Sequence, residues 1–174
     1  MRRIESRHGF GWQFRLPVVA ALILSWLAVA QGPAPRPGAE LLREFANSDD
    51  TDAFLRHARI RPQLQQLLGA ELPHLEINLD VRGSVDVIGG QLAVNGNAPH
   101  QGTIEEAVVC VSIYNVEVSA AIFSNGTVTA YSRGGRYDNL PLCIKDWITQ
   151  VNSGHKDRFE QPQNVRMADV RLNQ

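Results

Sequence analysis

At Leu75 the period of the sequence changes from that of a helix to that of a strand, and it keeps the new period as far as Tyr131. Leu75, Ile77, Leu79 and Val81 alternate with Glu76, Asn78, Asp80 and Arg82, the pattern of a half-buried strand. Ser84–Ile88 and Gln91–Asn95 flank Gly89-Gly90, a two-residue hairpin signal. Ile104–Ile113 follows, with Val109, Val111 and Ile113 on one face. Glu117–Phe123 and Thr127–Tyr131 are joined by Ser124-Asn125-Gly126, whose Asn-Gly step suits a tight turn with both central residues at positive φ. Five or six antiparallel strands are expected.

Helical signals bracket this region. Ala39–Ala46 has the composition of a short helix, and Ser48-Asp49-Asp50-Thr51-Asp52 supplies cap residues and first-turn acids for a second. There Ala53, Phe54, His57, Ala58 and Ile60 form one face, with His57 packed at its edge. Pro62 should end or kink this helix, and Gly69 should stop whatever continues through Gln63–Leu68. Late in the chain Pro141 fits a first helical position with Asn139 as cap. Leu142, Ile144, Trp147, Ile148 and Val151 then make an apolar stripe ending before Gly154. Val165–Val170 either adds an edge strand or stays loose. The fold class is α+β, an antiparallel five- or six-stranded sheet with helices packed on one face.

The N-terminus bears on the compartment. Arg2, Arg3, Arg7 and Arg15 precede an apolar run, Leu16–Ala30, that closes on the small-x-small site Ala28-Val29-Ala30. Residues 1–30 therefore read as a signal peptide, too short to span a bilayer, with an uncleaved signal anchor as the alternative. Residues 31–38, with Pro33, Pro35 and Pro37, read as a tether, and 39–174 as a single α+β domain in the periplasm or outside the cell. No stable membrane insertion is expected after cleavage. Residues 31–174 carry 13 Lys and Arg against 17 Asp and Glu, which argues against a nucleic-acid partner. Cys110 and Cys143 are a disulfide candidate in an oxidising compartment, the alternative being two separate buried thiols.

Catalytic patterns are missing. His57, His74, His100 and His155 have no metal-binding spacing, so no metal or cofactor is expected. There is no Gly-x-Ser-x-Gly and no phosphate-cradling glycine loop. Glu105 and Glu106, adjacent on a strand, point to opposite faces and cannot flank one scissile bond unless a bulge intervenes. Cys110 lies among valines, a core setting rather than that of a nucleophile. Weight moves from enzyme to inhibitor or binding protein.

Between the strands lies a polar, turn-rich loop, Asn95-Gly96-Asn97-Ala98-Pro99-His100-Gln101-Gly102, in which Pro99 stiffens the backbone before His100. The Pro-His pair between sheet strands resembles the protruding Cys-Lys-Pro-His-Asp-Cys loop of the bacterial inhibitors of vertebrate lysozyme, the Ivy family. Leu72-Pro73 before the sheet, the glycine hairpin, the strands around Ile122-Phe123 and the late helix follow the same order. Asn97 and Gly102 stand where that family has its loop cysteines, and Ala98 and Gln101 where it has Lys and Asp. The resemblance implies an exported inhibitor with lysozyme as partner. Its inhibitory loop is Asn97, Ala98, Pro99, His100, Gln101 and Gly102, with His100 as the plug, Pro99 its stiffener and the other four as rim. A lysozyme cleft holds two carboxylates, and an imidazole between them hydrogen-bonds both, more strongly when protonated.

Two other readings stand beside this one. The first is an exported protein-binding or accessory domain, possible as a homodimer, that works through its helix stripe, Trp147 or a sheet edge. The second is a secreted hydrolase in which Glu105, His100 and Asp138 converge on a pocket.

Overall fold

The computed structural model describes residues 40–154, 165–168 and 170, and the expected signal peptide and tether lie outside them. The first helical segment is a 3-10 helix, Glu40–Phe45, rather than an α-helix. Helix α1 (Thr51–Arg56) starts where Asp50 accepts a hydrogen bond from the Ala53 amide at 3.0 Å. It buries Phe54, and His57 just beyond it packs edge-on against the Phe45 ring at 5.8 Å. Pro62 opens a new helix, α2 (Arg61–Leu68), rather than kinking the old one, because a first-turn proline lacks only an amide that has no helical partner. Gly69, at φ +53°, ends it.

The strand expected from Leu75 is instead helix α3 (Leu72–Ile77). Leu72, Leu75 and Leu79 are buried, whereas Ile77 and Val81, members of the alternating set, are 55% and 52% exposed. The leucines recur at i, i+3 and i+7, so the segment carries both periods. Pro73 in the first turn and the leucine spacing favour the helix.

The sheet follows. Its strands are β1 (Val81–Arg82), β2 (Asp86–Ile88), β3 (Gln91–Asn97), β4 (Glu105–Ser112), β5 (Val118–Ser124), β6 (Thr127–Tyr131) and β7 (Val165–Met167), in the order β1-β3-β4-β5-β6-β7 with β2 also on β3. Both two-residue hairpin turns form as expected, with positive φ at Gly89 and Gly90 and at Asn125 and Gly126. All pairings are antiparallel except β6 with β7 at the edge, which is parallel. At the other edge, a Cβ on Gly96 would lie 2.6 Å from the Val81 carbonyl oxygen, so only glycine lets β1 close on the end of β3.

Helix α4 (Leu142–Gly154) takes the amides of Ile144 and Lys145 onto the Pro141 carbonyl. Asn139 belongs to a preceding 3-10 turn, Tyr137–Asn139, and is not the cap. Helices cover both faces of the sheet, not one. Ala107, Val109, Val111, Val118, Ala120 and Ile122 pack with Phe54, Leu64, Leu75 and Leu79 of the N-terminal helical segment. Ala93, Val108, Cys110, Ala121 and Phe123 pack with Ile144, Trp147, Ile148 and Val151 of α4. The alternation that should have left one face polar is absent from β5, where Val118–Phe123 are all buried. Among the described residues no helix is long and apolar enough to cross a membrane.

Cys110 of β4 and Cys143 of α4 form a disulfide, with Cα atoms 6.3 Å apart. Each large apolar side chain that α4 buries stabilises the packing by about 1.5–3 kcal/mol. Closing a loop of this length adds about 3–4 kcal/mol in the chain-entropy model. Packing therefore outweighs the cross-link. The Cys110→Ser/Cys143→Ser variant should lose about 3–4 kcal/mol in urea unfolding yet keep native far-UV circular dichroism.

Candidate functional site

The β3–β4 connection is built by two consecutive turns. The Gln101 amide donates to the Ala98 carbonyl at 3.0 Å, closing Ala98-Pro99-His100-Gln101. Pro99 at the second corner and His100 at the third, with φ +60°, give the arrangement of a type II turn. The Gln101 carbonyl then accepts the amides of Ile104 and Glu105, both at 3.0 Å. Below the turns, the Ala98 amide donates to the Glu105 carbonyl at 3.0 Å and extends the ladder by one rung.

A left-handed backbone at a β-carbon-bearing residue costs of order 1–3 kcal/mol and persists only where its surroundings impose it. Here Pro99 and the two turn hydrogen bonds impose it on His100. Thr103, at φ +72°, is held likewise by its amide donating to Glu106 Oε1 at 2.9 Å. Pro99, His100, Gln101 and Gly102 are exposed. Ala98, expected on the rim, is 2% exposed and is the anchor beneath the turn, and Asn97 is the half-buried last residue of β3. Asn97 Nδ2 donates to the Ala98 carbonyl at 2.8 Å, so its amide braces the first turn from below. A Cβ on Gly102 would sit 3.8 Å from Asn97 Cγ, so the positions of the absent cysteines face each other.

The root of the loop carries a polar cluster that no motif in the sequence announces. Glu105, first residue of β4, accepts Ser124 Oγ at 2.6 Å and Asn78 Nδ2 at 3.1 Å, and its Oε2 lies 3.0 Å from His74 Nε2. The other ring nitrogen, Nδ1, is 3.3 Å from Glu71 Oε2. Burial alone would lower the His74 pKa, but its bonds to Glu105 and Glu71 outweigh burial and hold it above the ordinary histidine value. Burial would raise Glu105, but hydrogen bonds from Ser124, His74 and Asn78 outweigh it and hold the carboxyl below the ordinary glutamate value. His74 and Asn78 share a helix face only once Leu72–Ile77 is helical, so reading that segment as a strand hid the cluster.

Glu105 begins β4 and His100 lies in the turn before it, whereas Asp138 belongs to the 3-10 turn before α4. No hydrogen bond or ion pair links them, and Asp138 pairs with Arg136 at 3.7 Å. Trp147 is 4% exposed against the sheet and offers no docking surface. Among the described residues no group of three or more His, Cys, Asp or Glu is placed to hold a metal ion.

These features define an α+β scaffold that presents one self-braced loop with an exposed histidine at its turn. Residues 59–154, more than half of the chain, match the model of the family described as inhibitor of vertebrate lysozyme (Ivy), and the chain belongs to that family of lysozyme inhibitors. No match was found to a curated protein or to a solved structure.

The His74–Glu105 pair makes stability depend on pH. His74, raised in the fold, contributes in full below the unfolded value of 6.5, and its contribution is lost as pH rises through the folded value. Glu105, lowered in the fold, contributes in full above 4.5, and its contribution is lost as pH falls through the folded value. Thermal unfolding should give the highest Tm between these limits, and His74→Gln should flatten the decline on the alkaline side.

Proposed function

We propose that this chain is an exported lysozyme inhibitor that inserts the Pro99-His100 turn into the active-site cleft and occludes its catalytic carboxylates. The observation that carries this reading is the exposed His100 held at φ +60° by a proline and a hydrogen-bonded turn, in a chain of this family. A left-handed backbone held at an exposed turn supports the reading of His100 as a side chain placed for contact. An imidazole donates from both ring nitrogens when protonated, matching two carboxylates. Because the turn is already formed, little ordering cost remains at binding. Pro99 sets the first corner of the turn. Gln101 and Gly102 flank the plug on the exposed side, and Asn97 and Ala98 support it. Export follows from the basic and apolar segments of residues 1–30 and from Ala28-Val29-Ala30.

Three measurements test this reading. The mass of the chain recovered after export should place its first residue at Gln31; a full-length mass would favour the anchor. In a peptidoglycan-clearing assay over a panel of lysozymes, the recovered chain should inhibit at least one. His100→Ala should weaken that inhibition by about 30-fold or more, the cost of removing a central contact. His100→Gly should also lose inhibition while unfolding within about 1 kcal/mol of the parent, since glycine tolerates the turn. Full inhibition by both variants would discard the plug. Asn97→Cys/Gly102→Cys should cross-link spontaneously, as mass spectrometry would show, because these positions already face each other.

A further inference from the structure

The loop meets the rest of the molecule at Glu105. Its carbonyl accepts the Ala98 amide from the incoming leg, and its amide donates to the Gln101 carbonyl at the junction of the two turns. Both turns are thus tied to the backbone of one residue. The side chain of that residue is gripped by three others, Ser124 from β5 and Asn78 and His74 from the α3 region. We propose that Glu105 is a positioning residue for the β3–β4 loop, and that His74, by gaining or losing its proton, tightens or loosens the grip on Glu105 and with it the loop. The proposal rests on the inhibitor reading for its use, but not for its geometry.

The hydrogen-bond inventory supports this coupling. His74 lies between two carboxylates, Glu71 at Nδ1 and Glu105 at Nε2. A neutral imidazole has one N–H and one lone pair, so one of the two carboxylates must then face a lone pair. Only the imidazolium satisfies both. The carboxylates come from the 3-10 turn before α3 and from β4. Two further titratable or charged groups, Tyr131 of β6 and Arg166 of β7, line the same groove as His74. Glu106 turns the other way, to the Thr103 amide. Asn78 is 1% exposed, with its Oδ1 buried and unpartnered, so the cluster holds little slack for rearrangement. The raised pKa of His74 and the lowered pKa of Glu105 have the directions that an ion pair between them produces.

The test is amide hydrogen exchange on the chain recovered after export, read by NMR as protection factors between about pH 5 and pH 8. As pH rises through the titration of His74, protection at the Ala98, Ile104 and Glu105 amides should fall severalfold as the grip on Glu105 loosens. Protection within β5 should fall only as far as the stability of the whole fold does. His74→Gln should show low, pH-independent protection at those loop amides. Glu105→Gln offers one acceptor oxygen where Glu105 receives Ser124 at Oε1 and Asn78 at Oε2, loses the ion pair with His74, and should behave likewise. Loop protection that ignores pH in the parent chain, or that falls identically in His74→Gln, would overturn the proposal. Loop amides that follow His74 in a chain that inhibits no lysozyme would uphold it and remove the proposed function. Inhibition that depends on His100, with loop amides indifferent to pH, would do the reverse.

Discussion

The burial of both faces of β4 and β5 governs the architecture. Successive residues Ala107–Val111 and Val118–Phe123, all apolar but Ser119, are buried, so each face of the central strands needs its own cover. The N-terminal helical segment covers one face and α4 the other, and neither could be removed without exposing half of the core. The disulfide joins the middle of this sheet to the helix that covers its second face, across 33 residues of chain. The loop that projects between β3 and β4 leaves from the most constrained part of the molecule, which is why a short connection can hold a strained backbone.

Turn chemistry was the most legible part of the sequence. Gly89-Gly90 and Asn125-Gly126 formed the expected hairpins because their requirement for positive φ is local and does not depend on what packs against them. The Asp50 cap and the Gly69 stop were legible for the same reason. The strand expected over Leu75–Arg82 forms only at Val81–Arg82, because the leucines before it satisfy two periods at once and tertiary contacts the sequence does not state choose the helix. The second layer of helix was hidden by the same limitation, since a strand buried on both sides has no alternation to report.

At the loop, the Pro-His pair was legible because proline acts on its neighbours through the backbone alone. The contributions of Glu105, His74, Asn78 and Ser124 were not legible, because they come from three separated segments that meet only after folding. The scaffold thus contains, at His74, the arrangement that the proposed mechanism creates at His100: one imidazole held between two carboxylates. The first is assembled within a single chain and half-buried. The second would be assembled across an interface and completed by the partner.

The brace beneath the turn is an amide, Asn97, reaching the Ala98 carbonyl across from Gly102. A loop stapled by cysteines is stiff only after an oxidant has acted on it and relaxes when a reductant reverses that step. A loop braced by carboxamide and backbone hydrogen bonds acquires its shape as the chain folds. The described cysteines of this chain are both committed between β4 and α4. Reductant would therefore loosen the helix on the far face of the sheet before it reached the turn that carries His100.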